Sequence, residues 1–237
     1  MKRLSLIYLL LIHLFLAGVL WKSDFLSRVR LAFGGGLGEG SNEEEYQRML
    51  SFHARSVGAV PEGAFVFIGD SLVQGLAVAA VHPLGVNYGI GGDTTKGVLD
   101  RLPIYRPALE RAGAIVIAIG VNDLHARSAE DALRNYAEIL AALPEGRPVF
   151  LSAILPVDLN LRGKFGEQGG WIAQFNRGLE RLAEQGEGVT LIESGGVLDR
   201  DQDGRLDAQF HIGDGLHLNS LGNEVWAKRM REELRSY

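Results

Sequence analysis

The chain has 237 residues, enough for one domain with a full hydrophobic core behind an N-terminal appendage. Hydrophobic residues make up 46% and charged residues 22%, which is ordinary globular composition. The net charge of -5, with both signs interspersed, excludes a clustered basic footprint for nucleic acid, and the absence of cysteine excludes a disulfide scaffold, thiolate catalysis and a cysteine zinc site.

Residues 4–21, "LSLIYLLLIHLFLAGVLW", are almost wholly apolar. As a helix this run spans about 27 Å, close to the hydrocarbon thickness of a bilayer. Lys2 and Arg3 precede it, Lys22 follows it, and Trp21 suits the membrane interface. The expected role is an uncleaved membrane anchor. A cleaved signal peptide is the alternative; the length of the run and the lack of an A-x-A site weigh against it. His13, alone inside the span, reads as tolerated rather than functional. Lys2 and Arg3 on one side nearly balance Lys22, Arg28 and Arg30 on the other. Orientation then rests on the charges and apolar run that start the chain, which favour an extracytoplasmic domain, secreted if the segment is cleaved. Residues 1–30 are read as anchor and flank, residues 31–45, with "FGGGLGEGSNEEE", as a glycine-rich tether, and residues 46–237 as the domain.

Ser41 and Glu44 have capping-box spacing, and Tyr46, Met49, Leu50 and Val57 recur at helical intervals. A helix therefore leads into a first strand, "AFVFIG". A short strand follows at "GVNYG", then a helix over residues 94–102 and a strand "AIVIAIG" over residues 114–120. Ser128 is placed to cap a helix carrying Ala132, Leu133, Tyr136 and Leu140 on one face. "PVFLSAI" is the next strand, and Trp171, Ile172, Phe175, Leu179 and Leu182 mark another helix. "VTLIES" is the last strand, before a final helix with Leu221, Val225, Trp226, Met230 and Leu234. The strands are continuous apolar runs, as in parallel sheets covered by helices on both faces. Their alternation with helices predicts a doubly wound α/β domain. Such sheets bind ligands at the carboxyl ends of their strands, where "GDS", "GIGGDT" and "GVND" fall.

The serine of "GDSLVQG", Ser71, is a poor nucleophile until a base takes its proton. His217, in "DGLHLN", is the only histidine with a carboxylate three residues before it in a glycine-containing turn. Asp214 is thus placed to bond one ring nitrogen and leave the other facing Ser71. A tetrahedral intermediate also needs donors: the Ser71 N–H at a helix start, a backbone N–H at Gly92, and the Asn122 amide. Taken alone, Ser71 is also a turn residue or helix cap, Gly92 a bend, and Asn122 a turn residue.

"GDSL", "GIGGDT", "GVND" and "DGLHLN", in this order over roughly residues 65–237, are similar to the sequence blocks of the SGNH, or GDSL, hydrolases. "NYGIGGDTTKGVLDRL" resembles the platelet-activating-factor acetylhydrolase-like branch. The resemblance implies a flavodoxin-like three-layer α/β/α fold with a five-stranded parallel sheet. It implies Ser71 as nucleophile and donor, Gly92 and Asn122 as further donors, His217 as base and Asp214 as its orienter. It also implies ester hydrolysis through an acyl-serine, without metal or cofactor, on short-chain or lipid esters. An O-acetyl carbohydrate deacetylase is the alternative within the class. A non-catalytic membrane-tethered binding module or a flavin-binding module are the alternatives outside it.

Asp70, Asp93 and Asp123 flank these motifs and read as loop braces. His53, His82, His125 and His211 read as packing or exposed polar residues, although His125 and His211 lie within reach of the site in sequence terms. The segments 72–83 and 156–170 are expected to line the pocket. Asp199, Asp201, Asp203, Gly204 and Asp207 match the start of a calcium loop, but Phe210 holds the twelfth position, where a bidentate Glu belongs. A hydrated acidic turn is the better reading.

Overall fold

The computed structural model describes His13 and residues 39–162 and 169–235. The remainder of the apolar run 4–21, the tether up to residue 38 and residues 163–168 of the second pocket segment lie outside the described residues. Among the described residues, no helix is long and apolar enough to cross a membrane.

The first helix, α1, covers Glu39–Ser56. Ser41 therefore lies inside it rather than at its cap, and residues 39–45 of the expected tether are helical. The cause is local: past Gly40 there is no glycine, and Glu43, Glu44 and Glu45 are good helix formers. Strand β1 (Ala64–Gly69) follows, then two single-turn helices, α2 (Ser71–Gln74) and α3 (Val78–Val81), and strand β2 (Gly85–Gly89). Next come α4 (Thr95–Arg101), α5 (Arg106–Leu109) and β3 (Ala112–Ala118). β3 ends two residues before the expected limit, because Gly120 takes φ +128 and turns the chain off the ladder. A 3-10 turn, Val121–His125, precedes α6 (Ala129–Ala142), whose N-cap Ser128 accepts from the Asp131 N–H. The chain closes with β4 (Val149–Ser152), α7 (Gly169–Gln185), β5 (Val189–Ile192), α8 (Gly195–Leu198) and α9 (Ser220–Leu234). Residues Tyr46–Tyr237 form one compact unit.

The five strands are all parallel, in the order β2-β1-β3-β4-β5. This is the doubly wound order expected of a flavodoxin-like sheet, with its switch point between β1 and β3. Apolar runs fill the strands because both faces are covered. Val66, Ile68, Ile115 and Ile117 pack with Val98, Tyr136 and Phe175 on one side. Phe65, Phe67, Ala114 and Val116 pack with Leu198, Trp226 and Met230 on the other. Every residue of β1 is buried, whereas the edge strands β2 and β5 are only partly so. Burying side chains like these contributes about 1.5–3 kcal/mol each, which is what holds the layers together.

The segment after β1 departs from expectation. Val73, Leu76, Val78 and Val81 face the second core cluster rather than a pocket. Leu72, on the outward side of α2, borders a cavity near the strand ends.

Candidate active site

β1 delivers Ser71 to the sheet's carboxyl edge through a close approach that only glycine allows. A Cβ on Gly69 would lie 2.2 Å from the Ala118 carbonyl and 2.4 Å from Val73 Cγ2. Asp70 then caps α2, its Oδ1 accepting from the Leu72 N–H at 2.9 Å. Ser71 stands at the first position of α2, where a backbone N–H has no acceptor within its own helix.

Ser71 and His217 are 146 residues apart in sequence and hydrogen-bonded in space, Oγ to Nε2 at 3.0 Å. His217 Nδ1 in turn meets Asp214 Oδ2 at 2.5 Å. The other carboxylate oxygen, Oδ1, accepts the backbone N–H of His217 at 2.9 Å and of Leu216 at 3.1 Å. Burial alone would raise the Asp214 carboxyl, but the His217 side chain and these two N–H groups outweigh it and hold it below the usual carboxylate range. An ionised Asp214 assigns the proton to Nδ1, which leaves Nε2 as the acceptor for the serine hydroxyl.

The donor loops close on the same edge. Gly92 has φ +76, a left-handed conformation that favours glycine, and a side chain added there would point into open space. The neighbouring Gly91 borders Ser71: a Cβ there would come within 3.9 Å of the Ser71 Cβ. Asn122 sits on the turn after β3, and its Nδ2 donates to the Asp93 carbonyl at 2.8 Å. The loops carrying Gly92 and Asn122 are thereby tied to each other.

Asp70, Asp93 and Asp123 are buried, and each braces a loop. Asp123 accepts from the Thr95 N–H at 2.8 Å and the Thr95 hydroxyl at 2.6 Å, and pairs with Arg127. Asp93 accepts from the Thr94 N–H at 2.9 Å and pairs with Arg101 Nε at 2.6 Å. His82 stacks on Phe65, with ring centroids 3.8 Å apart. His53 is buried against Tyr88 and bonds the Tyr105 hydroxyl through Nδ1. Burial, with the Arg101 charge adding to it, lowers His53 to about 4 and keeps it neutral.

Two residues that the sequence reading did not assign to the site bear on it: His211, expected to serve a packing or exposed polar role, and Arg101. His211 is buried, and its Nδ1 accepts from the N–H groups of Gly213 (2.9 Å) and Gly215 (3.2 Å), on either side of Asp214. Its position in "FHIGDGLHL", alternating with the Asp-Gly turn, is the signal that it folds back under that turn. Arg101 is the second. Its side chain is 1% exposed, although its place in a short polar helix gave no sign of burial.

Two water-sized cavities lie near the strand ends. One, about 10 Å³, is lined by Val121, Asn122, Leu124, His125, Val157, Leu159 and Leu216, so His125 borders the site region. The other, about 20 Å³, is bordered by Asp70, Leu72, Ser152, Ile154 and Trp226. In the acidic loop, carboxylate oxygens of Asp199, Asp201 and Asp207 come within 4.8 Å of one another. Asp199 already accepts from the Asp203 and Gly204 N–H groups, Asp203 is turned onto Arg205, and Phe210 is buried in the core.

A doubly wound parallel sheet carrying a serine, a histidine and an aspartate in one hydrogen-bonded line at its carboxyl edge is the architecture of a hydrolase. The chain belongs to the GDSL-like Lipase/Acylhydrolase family, whose model matches residues 67–225, and it is a hydrolase of that family. It is 34% identical over 125 residues to platelet-activating factor acetylhydrolase IB subunit alpha1 of Pongo abelii, covering 49% of this chain and 53% of that protein. The Bos taurus protein of the same name is 34% identical over 120 residues, covering 46% and 51%. The chain thus spans about half the length of the curated relatives it matches. Among solved structures, a GDSL-like lipase from Bacteroides thetaiotaomicron superposes with a TM-score of 0.68 at 19% identity, covering 79% of this chain and 97% of that one. An acetyl xylan esterase superposes with a TM-score of 0.57 at 20% identity, covering 72% and 99%. A candidate platelet activating factor from Streptococcus pneumonia gives 0.73 at 24% identity, covering 88% and 99%. At these identities the structures establish the fold.

Proposed function

We propose that the chain hydrolyses acyl esters, short-chain or lipid-borne, through an acyl-serine intermediate on Ser71. The observation that carries this reading is the unbroken line from Ser71 through His217 to Asp214. Ser71 Oγ attacks the ester carbonyl carbon while His217 Nε2 takes its proton. Asp214 stabilises the resulting imidazolium without itself being protonated. The carbonyl oxygen becomes an oxyanion, met by the N–H groups of Ser71 and Gly92 and the Asn122 amide. Each such donor is worth about 100- to 1000-fold in turnover. The bond to the alcohol then breaks, and His217 returns the proton to the leaving oxygen. Water, deprotonated by His217, cleaves the acyl-serine and releases the acid.

The names of the Pongo abelii and Bos taurus relatives support an acetyl or other short acyl group. The acetyl xylan esterase neighbour favours a second reading, removal of O-acetyl groups from carbohydrate. The apolar run at residues 4–21 supports a membrane-anchored, extracytoplasmic enzyme with residues 31–38 as tether and residues 46–237 as the catalytic unit. An amphipathic ester at the membrane surface is then the natural substrate class.

The test is turnover of p-nitrophenyl esters from acetyl to long acyl chains, with Ser71→Ala alongside. Ser71-dependent hydrolysis with a preference for acetyl supports the short-acyl reading, and a preference for long chains a lipid esterase. Equal rates for the variant and the parent at every chain length, with no fluorophosphonate labelling of the parent, would leave a non-catalytic binding module.

A further inference from the structure

We propose that Arg101 is the positioning residue of the oxyanion hole, one buried guanidinium that ties together the segments carrying the Ser71 and Gly92 donors and, through Asp93, orients the Asn122 donor. The inference rests on the hydrolase reading above and adds a residue to it that touches no substrate.

The geometry is that of a hub. Nε donates to Asp93 Oδ2 at 2.6 Å. Nη1 donates to the Tyr88 carbonyl at 3.0 Å and to the Tyr105 hydroxyl. Nη2 donates to the Gly69 carbonyl at 3.0 Å. Each acceptor leads to one part of the site. Gly69 is two residues before Ser71, so its carbonyl sets the direction in which the chain enters α2. Tyr88 is the last residue but one of β2, which leads into the Gly91–Gly92 loop. Asp93 follows Gly92 directly, and its own carbonyl holds the Asn122 amide at 2.8 Å. Asn122 is therefore aligned through Asp93, at one remove from Arg101. Tyr105 closes the hub from below, stacked on Tyr88 with centroids 4.6 Å apart and bonded to His53.

Only arginine meets this demand. Its planar fork offers five donors in fixed directions, whereas a lysine ammonium is a compact point charge that cannot span acceptors on three segments. The packing around the pair leaves no slack: a Cβ on Gly97 would lie 1.9 Å from Asp93 Oδ1. A core built only for stability has no need to join the serine turn and the Gly91–Gly92 loop through one side chain. Oxyanion donors, by contrast, act only within about 2.7–3.1 Å of the developing charge, and displacement by about 1 Å costs about 100-fold.

The experiment compares Arg101→Lys with the parent, using full-length protein and p-nitrophenyl acetate. Ser71→Ala serves as the blank. Leu109→Ala, a cavity in the core just before β3, serves as a destabilised variant that keeps every hydrogen bond of the hub. Melting curves establish that each protein is folded at the assay temperature. The expected result is a fall in kcat for Arg101→Lys of about 10- to 100-fold, with KM within about threefold. Inhibition by a tetrahedral boronate should weaken in parallel, since the boronate oxygen occupies the oxyanion site. Leu109→Ala should lose melting temperature and keep kcat. Arg101→Lys that is folded, with kcat and boronate affinity within twofold of the parent, overturns the positioning role and leaves the hydrolase reading standing. A parent whose turnover does not depend on Ser71 overturns both. If Arg101→Lys does not fold, Tyr105→Phe takes its place; it removes one anchor of the guanidinium, and kcat unchanged there likewise overturns the proposal.

Discussion

Asp70, wedged between the glycine that ends β1 and the serine that starts α2, makes stability depend on pH in an unusual direction. It is 1% exposed. Burial pushes its carboxyl from 3.8 up to about 7; the Leu72 N–H opposes the rise, and the charges of Asp93 and Asp123 add to it. In the unfolded chain the same group releases its proton near its ordinary value. Between about pH 4 and pH 7 the folded state therefore binds more protons than the unfolded state. Stability must then fall as pH rises through this window, the opposite of a carboxylate held low by a partner. About three pH units at about 1.4 kcal/mol each give about 4 kcal/mol, complete above about pH 7. Asp70→Asn removes the titration and keeps the carbonyl oxygen that caps Leu72. Urea denaturation followed by tryptophan fluorescence, run at about pH 5 and pH 8, measures the difference. The variant should gain several kcal/mol over the parent at the higher pH and markedly less at the lower. A difference between variant and parent that is the same at both pH values would refute the argument, since it would mean that Asp70 does not carry a displaced proton equilibrium.

Two further outcomes follow from the site. In Asp214→Asn the amide oxygen takes over the two backbone N–H groups, and the amide NH2 then faces His217 Nδ1. That moves the ring proton to Nε2, where it blocks acceptance from Ser71; kcat should fall by about 10³- to 10⁴-fold with the fold intact, as read by steady-state kinetics and circular dichroism. His211→Phe keeps a buried ring and removes the acceptor of the Gly213 and Gly215 N–H groups. Leaving the buried Gly215 donor unmade costs about 1–3 kcal/mol, while water can reach the exposed Gly213; a drop in melting temperature and a lower kcat should appear together, and unchanged melting would show that the turn stands without it.

The elements were legible because the strands are long apolar runs and the helices carry their apolar residues at regular intervals. Ser71, Asn122, Asp214 and His217 were legible because short motifs keep chemistry-bearing residues beside strand ends, where a doubly wound sheet gathers them. Arg101 was not. A basic residue in "KGVLDRL" reads as a solvated helix face, and only the folded chain shows that two carbonyls and a carboxylate, from the end of β1, the end of β2 and the loop that follows it, surround it. Pairing across 32 residues, from Arg101 to Gly69, leaves no periodic trace in the sequence. The same limit applies to the segment after "GDS". Its valines and leucines fit a pocket wall and a core equally well, and the direction of α2 and α3 on the sheet decides for the core. At Ser41 the capping pattern was present, but the helix runs through it, because side-chain spacing alone does not stop good helix formers from extending a helix backwards.

The line from Ser71 to His217 has a temporal meaning as well as a chemical one. All five strands are in place by Ile192, yet the base and its carboxylate come from residues 214 and 217, in a turn whose neighbours, His211 and Leu218, bridge each other. Under the proposed mechanism, Ser71 has no base until the turn over residues 211–218 is folded, so the onset of serine reactivity during refolding would report the completion of that last turn rather than of the sheet.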